Sequence, residues 1–398
     1  MNVLVINAGS SSLKYQLLNV EGRKVLAKGI CERVGQSTSF HKHGLDANEV
    51  VIDQPMANHE EAMGYVLDSL VNGPDAPLTS LDEIDAVGHR IVQGGKYFDK
   101  SVLIDEDVEA KIDELAELAP LHNKAALMGI RACHKHMPGT PMVAVFDTAY
   151  FQTLPPKAYL YPLPLEISQK YSLRRYGAHG TSHRYIAERA AAVLKEPLED
   201  LKLITCHLGN GSSISAIDHG IAVDTSMGLT PLDGLMMGTR CGSIDPALVT
   251  FIMEHEGLTP AEMNHMLNSE SGLLGISGLS NDLRTIRKAS EAGDERAMLA
   301  YEMYSNSVKK HIGMYIAVMG GVDAIVLTAG IGENCDKMRR YIFAGLQPLG
   351  IVLDEAKNRE RGFEREISAE RSLVKIIIIP TNEEYMIARD TYDIVSRL

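Results

Sequence analysis

The residues best suited to chemistry in this chain lie in glycine- and serine-rich turns that interrupt apolar runs. Val3 to Ile6 is a short β-branched and aliphatic run, the pattern of a buried strand. Asn7-Ala-Gly-Ser-Ser-Ser-Leu-Lys14 breaks it with small turn formers, and an extended apolar pattern resumes to Leu18. A turn without bulky side chains lets backbone N–H groups approach an anion, three hydroxyls add donors, and the Lys14 ammonium lies within reach. Alone, this pattern fits an ordinary β-hairpin with a flexible loop better than a phosphate site. A second copy follows in the other half: Leu203-Ile-Thr-Cys-His-Leu-Gly-Asn-Gly-Ser-Ser-Ile-Ser-Ala-Ile217, with Gly211-Ser212-Ser213 matching Gly9-Ser10-Ser11. Two halves that each open with a phosphate-loop hairpin point to a duplicated domain gripping one polyphosphate. Thr328-Ala-Gly-Ile-Gly-Glu-Asn334 adds a strand, a Gly-x-Gly turn and a helix start, which offers free N–H groups and a positive helix end. It lacks the third glycine of a dinucleotide fingerprint, and the chain has no Gly-x-x-x-x-Gly-Lys-[Ser/Thr], so Rossmann and P-loop readings are disfavoured.

The chain that must position these turns has 398 residues, enough for two domains. Its 45% apolar and 23% charged content is that of an ordinary globular protein. A net charge of −13 argues against a nucleic-acid or anionic-membrane binder. Basic residues nevertheless recur beside the glycine turns (Lys14, Arg90, Arg174, Arg175, Arg240, Arg284), which suggests a local anion site. Five scattered cysteines without a CxxC fit neither a disulfide framework nor a zinc site, so a cytoplasmic location is expected. No apolar stretch approaches the ~20 residues of a membrane span, and nothing resembles a signal peptide.

In order, strands are expected at Lys24 to Glu32 and Glu49 to Ile52, with polar connections around Gly35 to His43. A helix over His59 to Val71, a strand at Asp85 to Gly88, helices over Asp105 to Leu118 and Asn123 to His136, and a strand at Met142 to Phe146 delivering Asp147 complete a ribonuclease H-like order. Pro-rich segments at Thr153 to Pro156 and Pro162 to Pro164 mark the crossing to a second domain. There Ser182 is expected to cap a helix through Tyr185 to Leu194, and the second hairpin is followed by a strand at Ile221 to Asp224. A glycine-rich loop spans Thr230 to Asp245. Helices are expected over Ala247 to Glu256, Pro260 to Leu267 and Asp294 to Met319, and buried strands at Val322 to Leu327 and Lys375 to Ile379. The expected fold class is α/β, with domains over 1–150 plus 385–398 and 151–384. Closure on a nucleotide, hinged near 147–153 and 380–384, is expected.

Together, the three loops resemble the phosphate-1, phosphate-2 and adenosine segments of the actin, Hsp70 and sugar kinase superfamily, whose duplicated ribonuclease H-like domains enclose an interdomain nucleotide cleft. Within it, the whole chain resembles the acetate kinase (acetokinase) family. The carrying motifs are Asn7 to Lys14, Gly88-His-Arg-Ile-Val92, Ala119-Pro-Leu-His-Asn123, Val145-Phe-Asp-Thr-Ala149, Arg175-Tyr-Gly-Ala-His-Gly-Thr-Ser-His183, His207-Leu-Gly-Asn-Gly211, Met237-Gly-Thr-Arg240, Gly330-Ile-Gly-Glu-Asn334 and Pro380-Thr-Asn-Glu-Glu384. The resemblance implies reversible in-line phosphoryl transfer between ATP and acetate, giving ADP and acetyl phosphate, with Mg²⁺ (or Mn²⁺ in its place), in a homodimer. The rival readings are a propionate or butyrate kinase of the same family and an actin- or Hsp70-like ATPase switch.

Residue by residue, the resemblance makes Arg90 the carboxylate-binding residue, with Arg240 and His179 stabilising the phosphoryl group in flight. It places Val92, Leu121, Ala178 and Pro231 around the acyl methyl group and His122 in the active site. Asn7 and Glu383 match Mg²⁺-associated positions. Lys14, His207, Leu208, Gly209, Asn210 and Gly211 match nucleotide contacts, as do Asp282, Leu283 and Arg284, and Gly330, Ile331, Gly332, Glu333 and Asn334. Asp147 matches the family's acid/base position. A carboxylic acid is already ionised at neutral pH, however, so orientation of Arg90, Arg240 or the metal's waters is the role expected of Asp147. Gln93 and Lys96 stand where relatives often carry histidine and glutamate, and Ala178 where some carry phenylalanine.

Overall fold

The computed structural model describes residues 1–45, 48–73, 75–119 and 122–398. It divides into two compact units, Met1–Gln152 with Asn382–Leu398, and Thr153–Thr381.

Strands of the first unit are β1 (Asn2–Ala8), β2 (Ser12–Asn19), β3 (Lys24–Glu32), β4 (Phe40–His43), β5 (Val50–Asp53), β6 (Ala86–Ile91), β7 (Val102–Leu103) and β8 (Met142–Phe146). They form one sheet in the order β5-β4-β3-β2-β1-β6-β8-β7. Pairing is antiparallel from β5 to β1, parallel from β1 through β6 to β8, and antiparallel again at β7. One face packs on helices His59–Val71 and Asn123–His136, burying Leu4, Ile6, Leu13 and Leu17. The other face buries Val3, Val5, Val143 and Val145 against Ile387 and Ala388 of the C-terminal helix, Glu383–Val395.

The second unit contains β9 (Lys202–Leu208), β10 (Ser212–Asp218), β11 (Ile221–Thr225), β12 (Ala324–Thr328), β13 (Arg365–Glu366) and β14 (Lys375–Ile378), in the order β11-β10-β9-β12-β14-β13. Strands β11, β10 and β9 are antiparallel neighbours, and β9, β12 and β14 run parallel. The same order and directions recur in β3-β2-β1-β6-β8, so each unit carries a ribonuclease H-like core. The 25-residue helix Glu295–Met319 covers this sheet. It is started by the Asp294 side chain, which accepts from Ala297 N at 2.8 Å, and it buries Tyr301, Tyr304, Val308, Ile312 and Tyr315 at helical spacing.

Three local expectations are corrected. Residues 40–43, expected in a polar connection, form β4 because His41 and His43 point inward to the Tyr15 hydroxyl, with His41 Nε2 at 3.0 Å. Ser182 does not cap a helix. The helix already starts at Gly180 and runs to Leu194, and Ser182 turns its hydroxyl to His207 instead. The helix expected over Pro260 to Leu267 stops at His265 and passes into a wide π turn over Met266–Glu270. Among the described residues, no helix is long and apolar enough to cross a membrane.

Candidate functional site

In the first unit, register brings the charged residues together. Strands β6 and β8 run parallel with Arg90 beside Val145, and the chain leaves β8 directly into Asp147, whose N–H donates to Ile91 O at 2.8 Å. Arg90 then donates from Nε to Asp147 Oδ1 at 3.2 Å and from Nη2 to Asp147 Oδ2 at 2.7 Å, a bidentate fork. The C-terminal helix supplies a third charge, since Glu383 Oε2 lies 3.6 Å from Arg90 Nε. That approach depends on Gly88: a Cβ there would meet Thr391 Oγ1 at 2.5 Å and Ile387 Cγ2 at 2.7 Å. The Asn382 side chain starts the helix by accepting from Tyr385 N at 3.0 Å.

Asp147 is wholly buried, whereas the Arg90 side chain keeps 19% exposure. Burial pushes the Glu383 carboxyl up to about 7, with the Asp147 and Glu384 carboxylates adding to the rise and Arg90 opposing it. The Arg90 guanidinium is held charged by Asp147 and Glu383 against its desolvation. A cleft of about 250 Å³ opens beside this cluster, lined by Asn7, Lys14, Gln16, Lys28, Lys42 and Glu384 among others. Asn7 and Lys14 are cross-strand partners of the first hairpin. Among the described residues, no group of three or more His, Cys, Asp and Glu is arranged to hold a metal. Asn7 and Glu383 each carry an oxygen donor of the hard kind that Mg²⁺ takes.

In the second unit, the turn between β9 and β10 is the focus. A Cβ on Gly211 would lie 3.5 Å from Arg240 Nη1 and 3.6 Å from His179 Nε2, so the two side chains converge on this turn. The Met237 to Arg240 loop docks on the same turn, with Gly238 N donating to Asn210 O at 3.1 Å. A Cβ at Gly238 would press on the Asn210 side chain, so the loop lies directly against this turn. Arg240 Nη1 donates to Pro231 O at 3.2 Å, and burial lowers its pKa, the mark of a desolvated cation. His179 adopts a left-handed backbone (φ 59°) just before helix Gly180–Leu194, and its ring stacks on His207 at 4.2 Å.

The remaining candidate nucleotide residues gather around this turn. Asn281 Nδ2 donates to Asn210 Oδ1 at 3.4 Å, which brings the Asp282 segment beside it. Asp282 caps helix Leu283–Glu291, Leu283 is buried, and the Arg284 guanidinium is exposed and paired with Asp282. Ile331, Glu333 and Asn334 belong to helix Ala329–Asn334, where a Cβ on Gly332 would lie 3.7 Å from Leu208 Cβ and one on Gly330 would meet open space. Ala178 is buried against Met227 and Met237.

Several expectations change. The second turn's hydroxyls are engaged within the protein: Ser212 donates to Gly209 O at 2.9 Å, and Ser213 contacts two histidines. Arg175 is not a free anion-site cation, since it donates to Ser226 O at 2.8 Å and pairs with Asp233 at 3.2 Å. His122 sits at the cap position of helix Asn123–His136, but its side chain makes no capping hydrogen bond. Gln93 is buried and accepts from Gly95 N at 2.9 Å, while Lys96 is exposed. Val92 is partly buried in the first unit, and Leu121 lies outside the described residues.

Sequence reasoning missed Arg339. It is 2% exposed and reaches the nucleotide-candidate helix from behind, donating from Nη1 to Gly332 O at 2.9 Å and Glu333 O at 3.0 Å. Its other nitrogens bond Asn358, and burial lowers its pKa to about 10. Nothing in Asp336-Lys-Met-Arg-Arg-Tyr341 distinguishes this arginine from its exposed neighbour.

Residues 2–389 match the acetokinase family. The chain is 56% identical over 397 residues to the acetate kinase of Caldanaerobacter subterraneus subsp. tengcongensis, covering 99% of each chain. Among solved structures it resembles the acetate kinase of Porphyromonas gingivalis (47% identity, TM-score 0.95, 99% of each chain covered). It also resembles a propionate kinase from Francisella tularensis (41% identity, TM-score 0.93, 99% of each chain covered). The chain therefore belongs to the acetokinase family.

Proposed function

We propose that this protein catalyses reversible, Mg²⁺-dependent phosphoryl transfer between ATP and acetate, giving ADP and acetyl phosphate. The observation that carries this reading is 56% identity to an acetate kinase along the whole chain. Acetate is ionised at neutral pH and attacks without a base. Arg90 binds its carboxylate, and Asp147 fixes the guanidinium by taking up Nε and Nη2. A carboxylate oxygen forms a bond to the γ-phosphorus as the bond to the β,γ-bridging oxygen breaks, leaving the electron pair and negative charge on ADP. Charge on the equatorial oxygens is stabilised by Arg240 and the His179 N–H, so positioning and electrostatics do most of the work. Lys14, the 207–211 turn, Asp282 to Arg284 and Gly330 to Asn334 hold the nucleotide. Mg²⁺, or Mn²⁺ in its place, would be held by Asn7 and Glu383 together with water and phosphate, and would neutralise phosphate charge.

Glu383 gives this assignment a pH signature. Its carboxyl is raised to about 7, and Mg²⁺ binds the ionised form, so protons compete with the metal. Apparent Mg²⁺ affinity should rise roughly fivefold from pH 6 to about 7 and level off above about pH 8, following the ionised fraction. Kinetic Mg²⁺ titrations at the three pH values check this, and a flat dependence would remove Glu383 from the metal site.

The Francisella relative supports propionate as a second substrate. A pocket distinguishes one methylene by only ~1–3 kcal/mol, and Ala178 is smaller than the phenylalanine that some relatives carry. Acetate should give the highest kcat/KM at saturating MgATP, propionate a lower but measurable value, and butyrate the lowest. Ala178→Phe should depress propionate more than acetate, although the ring must displace Met227 or Met237. A wild-type preference for propionate would replace the acetate assignment, and an unchanged ratio in the variant would take Ala178 out of the acyl pocket.

A homodimer fits the surface of the second unit. Helix Ala247–Glu256 is apolar yet buries none of its residues, with Leu248 45% and Phe251 56% exposed, and Leu299, Met303 and Val318 are exposed on Glu295–Met319. Light scattering should give twice the chain mass, and a dimer that survives Phe251→Glu with Leu248→Glu would place the interface elsewhere. A cytoplasmic location fits five free cysteines, four of them buried.

A further inference from the structure

The hydroxyl of Ser213 lies between two imidazoles. It is 2.9 Å from His179 Nδ1 and 2.7 Å from His183 Nε2. The chain of contacts continues inward, where His183 Nδ1 meets Thr205 Oγ1 at 2.7 Å. Ser213, His183 and Thr205 are all fully buried. They come from three elements: Ser213 from β10, Thr205 from β9, and His183 from the first turn of helix Gly180–Leu194. At the outer end, His179 Nε2 faces the Gly211 turn together with Arg240 Nη1.

Proton counting restricts this chain. A serine has one O–H, so between two imidazole nitrogens it donates to one and accepts from the other. Burial pushes the His183 pKa well below its usual value, so this ring is neutral and carries one N–H. Two arrangements satisfy these three contacts. In the first, Thr205 O–H donates to His183 Nδ1, His183 Nε2–H donates to Ser213, and Ser213 O–H donates to His179 Nδ1. A neutral His179 then carries its proton on Nε2, as an N–H facing the Gly211 turn. In the second, all three bonds reverse, and a neutral His179 presents a lone pair there, which would repel a phosphoryl oxygen.

We propose that Ser213 and His183 are positioning residues that hold His179 with its proton on Nε2, so that its N–H meets the transferring phosphoryl group. The choice of this arrangement over its reverse rests on the reading of His179 as a phosphoryl-stabilising residue, and the tautomer itself is read directly from the spectra of the protein. Ser213 thus sets the donor by orienting one hydroxyl, without touching substrate.

The test is ¹⁵N NMR of ring-labelled histidine in the intact protein, with the His179 signals assigned by their loss in His179→Ala. Wild type should show a pyrrole-type Nε2 and a pyridine-type Nδ1. Ser213→Ala removes the donor to Nδ1 and should move both signals towards a tautomer mixture. It should also lower kcat by about tenfold, the effect of one displaced hydrogen bond, with KM for ATP and acetate within about twofold. Thr205→Val, isosteric and two links further away, should shift the same signals in the same direction by less, and it carries the test if Ser213→Ala does not fold. Unchanged His179 shifts in a folded Ser213→Ala or Thr205→Val protein would overturn the proposal. Normal kcat in His179→Ala would instead overturn its functional half and leave the tautomer assignment to the spectra.

Discussion

Replacing Arg240 with alanine is expected to lower kcat by about 10³-fold or more, the scale on which arginine fingers act, with much smaller changes in KM for ATP and acetate. The expectation rests on the state of this guanidinium before the reaction. It is desolvated, it converges with His179 Nε2 on the Gly211 turn, and the partner at Nη1 is the Pro231 carbonyl, not a carboxylate. Among the described residues no carboxylate pairs with this guanidinium, so its charge is left for the charge that develops during transfer. Arg240→Lys should recover only part of the loss, because an ammonium keeps the charge without the planar fork. Steady-state kinetics in both directions measure this. An Arg240→Ala enzyme with normal kcat and a raised KM for ATP would make Arg240 a ground-state nucleotide contact.

Asp147→Asn should be nearly as severe, with kcat/KM for acetate falling by about 10²-fold or more, as expected when a substrate-binding group loses its orientation. An asparagine keeps the size of the side chain but offers one acceptor oxygen where the Arg90 fork needs two. Arg90 would then turn towards Glu383, 3.6 Å away, and away from the carboxylate it must bind. Breaking a buried pair also costs about 3–5 kcal/mol of stability, so the variant should melt earlier while remaining folded. Because the proposed role is orientation, raising the pH should not restore activity. Recovery of wild-type rates at high pH would mean that Asp147 removes a proton.

The sequence made the hairpins legible because small-residue turns between apolar runs have few other structural uses. It also placed Asp147 at the end of one strand and Arg90 just past another, and the second strand runs on to Ile91, so that parallel register joins them. Strand β4 escaped because its buried residues are His41 and His43: a polar cluster packed around Tyr15 reads as a loop when burial is inferred from hydropathy. The actual role of Ser182 escaped for a related reason. A serine before an apolar helix reads as a cap, and only tertiary packing shows its hydroxyl 2.8 Å from His207 Nδ1. Arg339 and the Ser213 contacts were invisible because their partners are backbone carbonyls and side chains distant in sequence.

The central claim is that the carboxylate receives the phosphoryl group directly. Incubating the protein with MgATP in the presence and absence of acetate, with hydroxylamine trapping, tests it in one assay. Acetyl hydroxamate should form in step with ADP, with negligible ADP release when no carboxylate is present. Equal ATP hydrolysis with and without acetate, and no hydroxamate, would contradict it.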